Sequence, residues 1–180
     1  MIFTQTKLRD AWIITLAPIE DARGSFARSF CLHEFAARGI VLPVAQCSVS
    51  RSRRRGTLRG MHFQSAPHAE VKLVRCARGA LWDVIVDLRH GSATGGQWFG
   101  TELSETNGRM VVVPEGFAHG FQTLTDDTTV DYSMSAPHVP GAASGVRWDD
   151  PAFGITWPIA DPILSERDRA YPDWHGHTER

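Results

Sequence analysis

From Val71 to Met134 the chain reads as six short runs, VKLVRC, ALWDVIVDL, QWFGTEL, RMVVV, GFQTLT and TTVDYSM, parted by Gly, Asn, Asp and Ser turn signals. Almost no helical period lies between them. Strands this short, at this spacing, predict an antiparallel sandwich or barrel. At 180 residues the whole chain, 1–180, is expected to form one domain large enough to bury a core.

The flanking segments fit that plan. Residues 11–17, AWIITLA, predict a strand ended by Pro18. In EDARGSFARSF, Asp21, Arg23 and Gly24 suggest a turn opening into a strand through Phe26 and Phe30. Residues 31–38, CLHEFAAR, predict a short helix stopped by Gly39, and Pro43 to Ser50 a further strand. From Pro137 to Pro162 the chain is rich in Gly, Pro and Trp, as a covering flap is; residues 165–170 predict one helical turn.

A formal charge of −1 gives no support for general nucleic-acid or membrane-surface binding. The local run Arg51, Arg53, Arg54 and Arg55 reads as a solvated loop rim, with guidance of a phosphorylated substrate as the sharper alternative. Cys31, Cys47 and Cys76 are sparse, odd in number and lack metal-type spacing, so reduced thiols in a cytoplasmic protein are expected. Neither a signal-peptide pattern nor a membrane-length apolar stretch is visible.

Chemistry concentrates between Leu58 and Lys72, LRGMHFQSAPHAEVK. Strand alternation puts Leu58, Gly60, His62 and Gln64 on one face and Arg59, Met61 and Phe63 on the other. A proton-transfer imidazole beside two cations, Arg59 and Lys72, suits an anionic substrate with an acidic C–H. Farther on, Gly108, Pro114, Gly116 and His119 follow G-x5-P-x-G-x2-H, which resembles the second cupin motif and implies a mainly β, jelly-roll barrel or sandwich with a few short helices. The first cupin motif is half present: Gly56 precedes His62 by the right spacing, but Gln64 stands where a second histidine ligand belongs. Amides are poor metal ligands, so the metal centre reads as dismantled, with His68 and Glu70 keeping a metal site open as an alternative.

With these residues in view, the chain resembles the dTDP-4-dehydrorhamnose 3,5-epimerase family. The matching segments, in family order, are DARGSF, LRGMHFQ, KLVR, DVIVDLR, VVVPEGFAHGF, VRWDDPAFGITWP and LSERD, spanning about residues 20–170. The resemblance implies a jelly-roll homodimer with no metal or other cofactor, acting on a nucleotide-linked 4-keto-6-deoxyhexose. It implies His62 as base, Asp168 as its dyad partner, Lys72 as the cation near the enolate oxygen and Tyr132 as the acid on the far face. Arg23, Phe26, Gln46, Arg59 and His119 fall on positions that hold the nucleotide diphosphate or line the pocket, and His138 stands where a tyrosine is common.

The residues carry other readings too. Ser165 and Asp168 have capping-box spacing, which makes Asp168 a helix-end residue unless the turn also delivers its carboxylate to His62. Lys72 is otherwise an exposed strand lysine, and Tyr132 core or rim. Asp83 and Asp87 share a strand face as partners for Lys72 or an arginine, and Trp148 and Trp157 are expected to anchor the flap. Arg23 and Arg59 suit a diphosphate, since a guanidinium forks two oxygens.

Arg28, Ser48 and Ser144 depart from the family's usual acidic residue, Asn and Glu. The departures at Arg28, Ser48 and His138 leave open an epimerase acting at one carbon, or on a CDP- or GDP-linked sugar. A metal-dependent cupin oxygenase using His62 and His119, and a non-catalytic sugar-binding cupin, are the remaining alternatives.

Overall fold

The computed structural model describes residues 1–176. Its elements begin with β1 (Ile2–Gln5), β2 (Trp12–Thr15), β3 (Ile19–Asp21), β4 (Gly24–Phe26), α1 (Leu32–Ala36), β5 (Gln46–Ser52) and β6 (Leu58–Gln64). They continue with β7 (Lys72–Arg78), β8 (Ala80–Asp87), β9 (Trp98–Ser104), β10 (Arg109–Val113), β11 (Phe117–Thr123), β12 (Thr128–Met134), β13 (Ala143–Gly145) and α2 (Glu166–Arg169). The six runs from Val71 onward become β7 to β12. The predicted short helix is α1, and the final helical turn is α2.

Two open sheets face each other in a jelly roll, one ordered β1-β2-β10-β7-β12-β5 and the other β13-β6-β11-β8-β9. Val74, Val111 and Val130 from the first meet Leu81, Ile85, Phe117 and Phe121 from the second, forming the dry interior. The outer face of the six-stranded sheet is covered by α1, whose fully buried Phe35 packs with Ile14, Leu73, Met110 and Val112. The other sheet is covered from outside by Val146, Phe153, Ile155, Trp157 and Trp174, packed on Met61, Val84, Val86 and Ala118. The expected flap is therefore in part a sheet edge, because β13 pairs along β6 before the chain crosses the outer face. Trp157 anchors it as expected, donating its indole N–H to the Trp148 carbonyl at 2.9 Å; Trp148 itself is half-buried.

The expected alternation in β6 fails at one place. Leu58 and Arg59 pair with Gln122 and Phe121, but His62 pairs with His119, one residue out of register. The extra residue at Gly60–Met61 is a β-bulge, which re-aims the side chains that follow it. Arg59 and His62, expected on opposite faces, thus both register with inward-facing residues of β11, while Met61 and Phe63 turn to the outer layer. Gly60 adopts φ +144° and lies against Gly120, where an added Cβ would fall 2.6 Å from the Gly120 Cα. Only a pair of glycines permits this approach.

The strand expected to run through Phe26 to Phe30 ends at Phe26, because β3 and β4 form a two-stranded hairpin of their own. Phe26 and Ile19 on it are about three-quarters exposed, at 76% and 75%. Among the described residues no helix is long and apolar enough to cross a membrane.

Candidate active site

His62 and Asp168 meet at the open end of the sandwich. The His62 Nε2 lies 2.7 Å from Asp168 Oδ1, the imidazole partly open and the carboxylate almost wholly buried. Burial alone raises a carboxyl's pKa, but the His62 hydrogen bond and charge, the Gly60 N–H and the Ser165 hydroxyl override it and hold Asp168 below its ordinary range. An ionised Asp168 accepts the Nε2 proton, which fixes the tautomer and leaves Nδ1 of the neutral ring as the basic nitrogen. The capping reading of Asp168 also holds: its backbone N–H donates to Ser165 Oγ at 3.0 Å. One turn performs both tasks. Tyr171 meets the His62 ring edge-on at a centroid distance of 5.7 Å, and its ring fills the space over Gly145.

Beside His62 opens a cleft of about 190 Å³, lined among others by Gln64, Glu70, Lys72, His138, Ser144 and Arg167. Lys72 is the first residue of β7 and its side chain is mostly buried; Nζ pairs with Glu70 Oε1 at 3.0 Å. It is not an exposed strand lysine. Of the two partners expected for Asp83 and Asp87, the arginine is found and the lysine is not: buried Asp87 pairs with Arg89, while Lys72 takes Glu70. Asp87 binds Arg89, Ser92 and Thr94, and Asp83 Oδ2 lies 2.8 Å from His119 Nε2.

His119 is 4% exposed and stands directly across from His62 in the β6–β11 pairing. From the facing sheet, Tyr132 on β12 meets the His119 ring edge-on at 6.0 Å. Burial pushes the Tyr132 phenol well above its ordinary pKa, helped by the Asp83 charge and opposed by the Arg59 charge. Tyr132 is thus a neutral O–H inside the sandwich, on the sheet opposite His62, with Arg59 within electrostatic reach. Arg59 donates Nε to Ser52 Oγ and Nη2 to the Arg51 carbonyl, both at 3.3 Å, leaving other guanidinium N–H groups for an anion.

Gln46, Ser48 and His138 belong to one local network. Gln46 Nε2 donates to Ser48 Oγ at 3.2 Å, and Gln46 Oε1 accepts the His138 backbone N–H at 2.9 Å. Arg28 pairs with Glu34 of α1 at 2.6 Å. Arg23 and Phe26 are not brought to the cleft: they lie on the exposed β3–β4 hairpin around a separate depression, with Arg23 bound to Asp21 at 2.6 Å. The arginine run is an exposed rim as expected. Arg51 and Arg53 line a groove with Arg78 and Thr128, at the opposite end of β12 from the cleft-lining Met134.

The donors of the metal alternative do not converge. His62 and His119 each face a carboxylate of their own, Glu70 turns to Lys72 and Gln64, and no three His, Cys, Asp or Glu side chains gather as a metal site among the described residues. Sequence reasoning missed Arg167 and Tyr171. Both follow from the Ser165 cap, since a turn that aims Asp168 at His62 must carry its neighbours to the same rim.

The profile of the dTDP-4-dehydrorhamnose 3,5-epimerase family matches residues 5–176. A dTDP-4-dehydrorhamnose 3,5-epimerase of Sinorhizobium fredii is 43% identical over 173 residues, covering 96% of this chain and 89% of that protein. A dTDP-4-dehydrorhamnose 3-epimerase of Streptomyces niveus is 41% identical, covering 90% of this chain and 78% of that one. Among solved structures, the Bacillus anthracis 3,5-epimerase with TDP and pyrophosphate bound superposes with a TM-score of 0.93 at 40% identity, covering 96% of this chain and 99% of that chain. The inward histidine–aspartate pair, the mostly buried lysine and the jelly roll that holds them accord with this match over nearly the whole length, and the chain belongs to the dTDP-4-dehydrorhamnose 3,5-epimerase family.

Proposed function

We propose that this chain, as a single cupin-like domain, epimerises a dTDP-linked 4-keto-6-deoxyhexose at C3, C5 or both, with His62 and Tyr132 acting on opposite faces of the sugar. The observation that carries the roles is the placement of a carboxylate-oriented imidazole and a neutral, partly buried phenol on facing sheets, beside a mostly buried ammonium. His62 Nδ1 takes the proton from the carbon next to the ketone. The electron pair left behind moves onto the ketone oxygen, and the Lys72 ammonium stabilises that enolate charge away from bulk water. Tyr132 then returns a proton to the carbon from the other side. Because the proton taken and the proton given are different, each group regains its starting state by exchange with water.

Arg59, His119 and the Gln46–His138 network are the residues nearest this chemistry that suit the diphosphate and nucleoside. Arg23 and Phe26 take part from a second copy of the chain: their hairpin pairs with no other strand among the described residues and presents two large apolar side chains to solvent. The assembly we infer is a homodimer. A cytoplasmic location agrees with three unpaired cysteines, of which Cys47 is exposed.

A proton NMR time course in D2O with dTDP-4-keto-6-deoxyglucose tests the reading. Deuterium entering at both C3 and C5 with L-configured product establishes the double reaction. Deuterium at one carbon establishes the single one, the activity for which the Streptomyces niveus relative is named. No deuterium with any nucleotide form of the sugar overturns the function.

A further inference from the structure

Glu70 has no part in the steps above, yet it lines the cleft as a carboxylate with both oxygens engaged. It is 8% exposed, and its two oxygens face different partners. Oε1 holds the Lys72 ammonium at 3.0 Å; Oε2 accepts from Gln64 Nε2 at 2.5 Å. Gln64, itself buried, reaches onward: its Oε1 accepts the Val139 backbone N–H at 2.7 Å, and its Nε2 also faces the carbonyls of His68 and Pro137 at 3.0 and 3.2 Å. Glu70 therefore joins the cation beside His62 to the segment that carries His138 over the same cleft.

We propose that Glu70 is a positioning residue for epimerisation: it fixes the Lys72 ammonium at the enolate site and, through Gln64, locks the Pro137–Val139 roof above it. A lysine side chain has four rotatable carbons, and desolvating its charge is costly unless a carboxylate answers it. Among the described residues Glu70 is the carboxylate in ion-pair contact with Lys72. When negative charge develops on the substrate oxygen, the ammonium is shared between that oxygen and Oε1, so little reorganisation is needed at the reacting moment. Glu70 itself touches no reacting atom.

The inference rests on the role given to Lys72 under the proposed function, and two measurements separate them. The first is a double-mutant cycle on the rate of substrate deuterium exchange, using Glu70→Gln, Lys72→Met and the pair. Glu70→Gln keeps the volume and one acceptor but removes the charge. It is expected to lower kcat by up to about 10²-fold, the scale of a misplaced catalytic group, with a smaller change in KM. In the Lys72→Met background the same substitution is expected to change kcat by less than about threefold, since coupled residues are not additive. Losses that multiply overturn the proposal, as does a Glu70→Gln chain that fails to fold, because Glu70 then serves the barrel and not Lys72.

The second measurement needs no turnover. In the wild-type protein the Lys72 ammonium is expected to give a protected ¹H–¹⁵N signal that Glu70→Gln abolishes. A signal unchanged by that substitution overturns the proposal. Loss of the signal in a protein that exchanges no substrate proton leaves Glu70 in place as the anchor of Lys72 and strikes only the proposed function.

Discussion

His62 and Asp168 lie 106 residues apart in the chain and 2.7 Å apart in the fold. The contact exists because Ser165 starts a four-residue helix whose third residue is Asp168, and because the Gly60 N–H also points to that carboxylate. Asp168→Asn keeps the backbone cap to Ser165 and the side-chain volume, so the fold should persist. It allows the other tautomer of His62, which buries the basic nitrogen against the amide. Exchange of the substrate C–H is expected to fall by about 10³-fold or more, the scale seen when the acid of a triad is lost. A variant exchanging at near wild-type rate would mean that Asp168 only caps the helix.

On the roles proposed above, Tyr132 divides the reaction at its midpoint. Burial raises its phenol, so it stays a neutral donor as pH rises through the weakly alkaline range, and it adds no alkaline limb to the rate there. In Tyr132→Phe the His62 side of the chemistry remains. The variant is expected to wash the substrate proton into D2O with the original configuration kept, while inverted product is lost. Inverted product at the wild-type rate would assign the second proton to another group.

The β6 bulge shows where reading the sequence stops. Chain order, turn signals and alternation were enough to place β7 to β12, and resemblance was enough to bring His62, Asp168, Lys72 and Tyr132 into view. Alternation put Arg59 and His62 on opposite faces because a bulge is a property of two strands together. Gly60 alone does not reveal it; Gly60 against Gly120 does, and those glycines are brought together only by the fold. Glu70 was hidden for the same kind of reason. Two residues from Lys72 on an extended chain, it read as a spare metal ligand, and only the cleft shows which partners its oxygens meet.

Gly60→Ala tests that account. The new Cβ meets backbone at 2.6 Å, and alanine resists a φ of +144°. A loss of several kcal/mol in unfolding free energy is expected, read from the urea midpoint, with loss of exchange activity at temperatures where the chain stays folded. A variant of wild-type stability would show that the strand relaxes out of the bulge.

Acid sensitivity has an identifiable source away from the cleft. Asp87 is fully buried; burial acts to raise its carboxyl, but Arg89, Ser92 and Thr94 hold it down at about 2, below the 3.8 of an unperturbed aspartate. A depressed carboxylate stabilises the fold above its unfolded pKa, and that contribution disappears as pH falls toward the folded value. Between about pH 5 and about pH 2 the wild-type unfolding free energy is expected to drop by about 2 kcal/mol more than that of Asp87→Asn. Equal slopes for the two proteins would place the acid-sensitive group elsewhere.

The exposed β3–β4 hairpin makes a prediction about two chains. If Arg23 serves the cleft of a neighbouring copy, a site needs His62 from one subunit and Arg23 from the other. His62→Ala protein then loses activity at any substrate concentration and Arg23→Ala protein below saturating substrate, but refolding them together restores one complete site in every mixed dimer. With random pairing about a quarter of all sites regain both residues. A hairpin serving its own subunit gives no such gain, because no chain in the mixture carries both side chains. The assay therefore reads the geometry directly, and it does so through a residue pair, His62 and Arg23, that a single copy keeps apart.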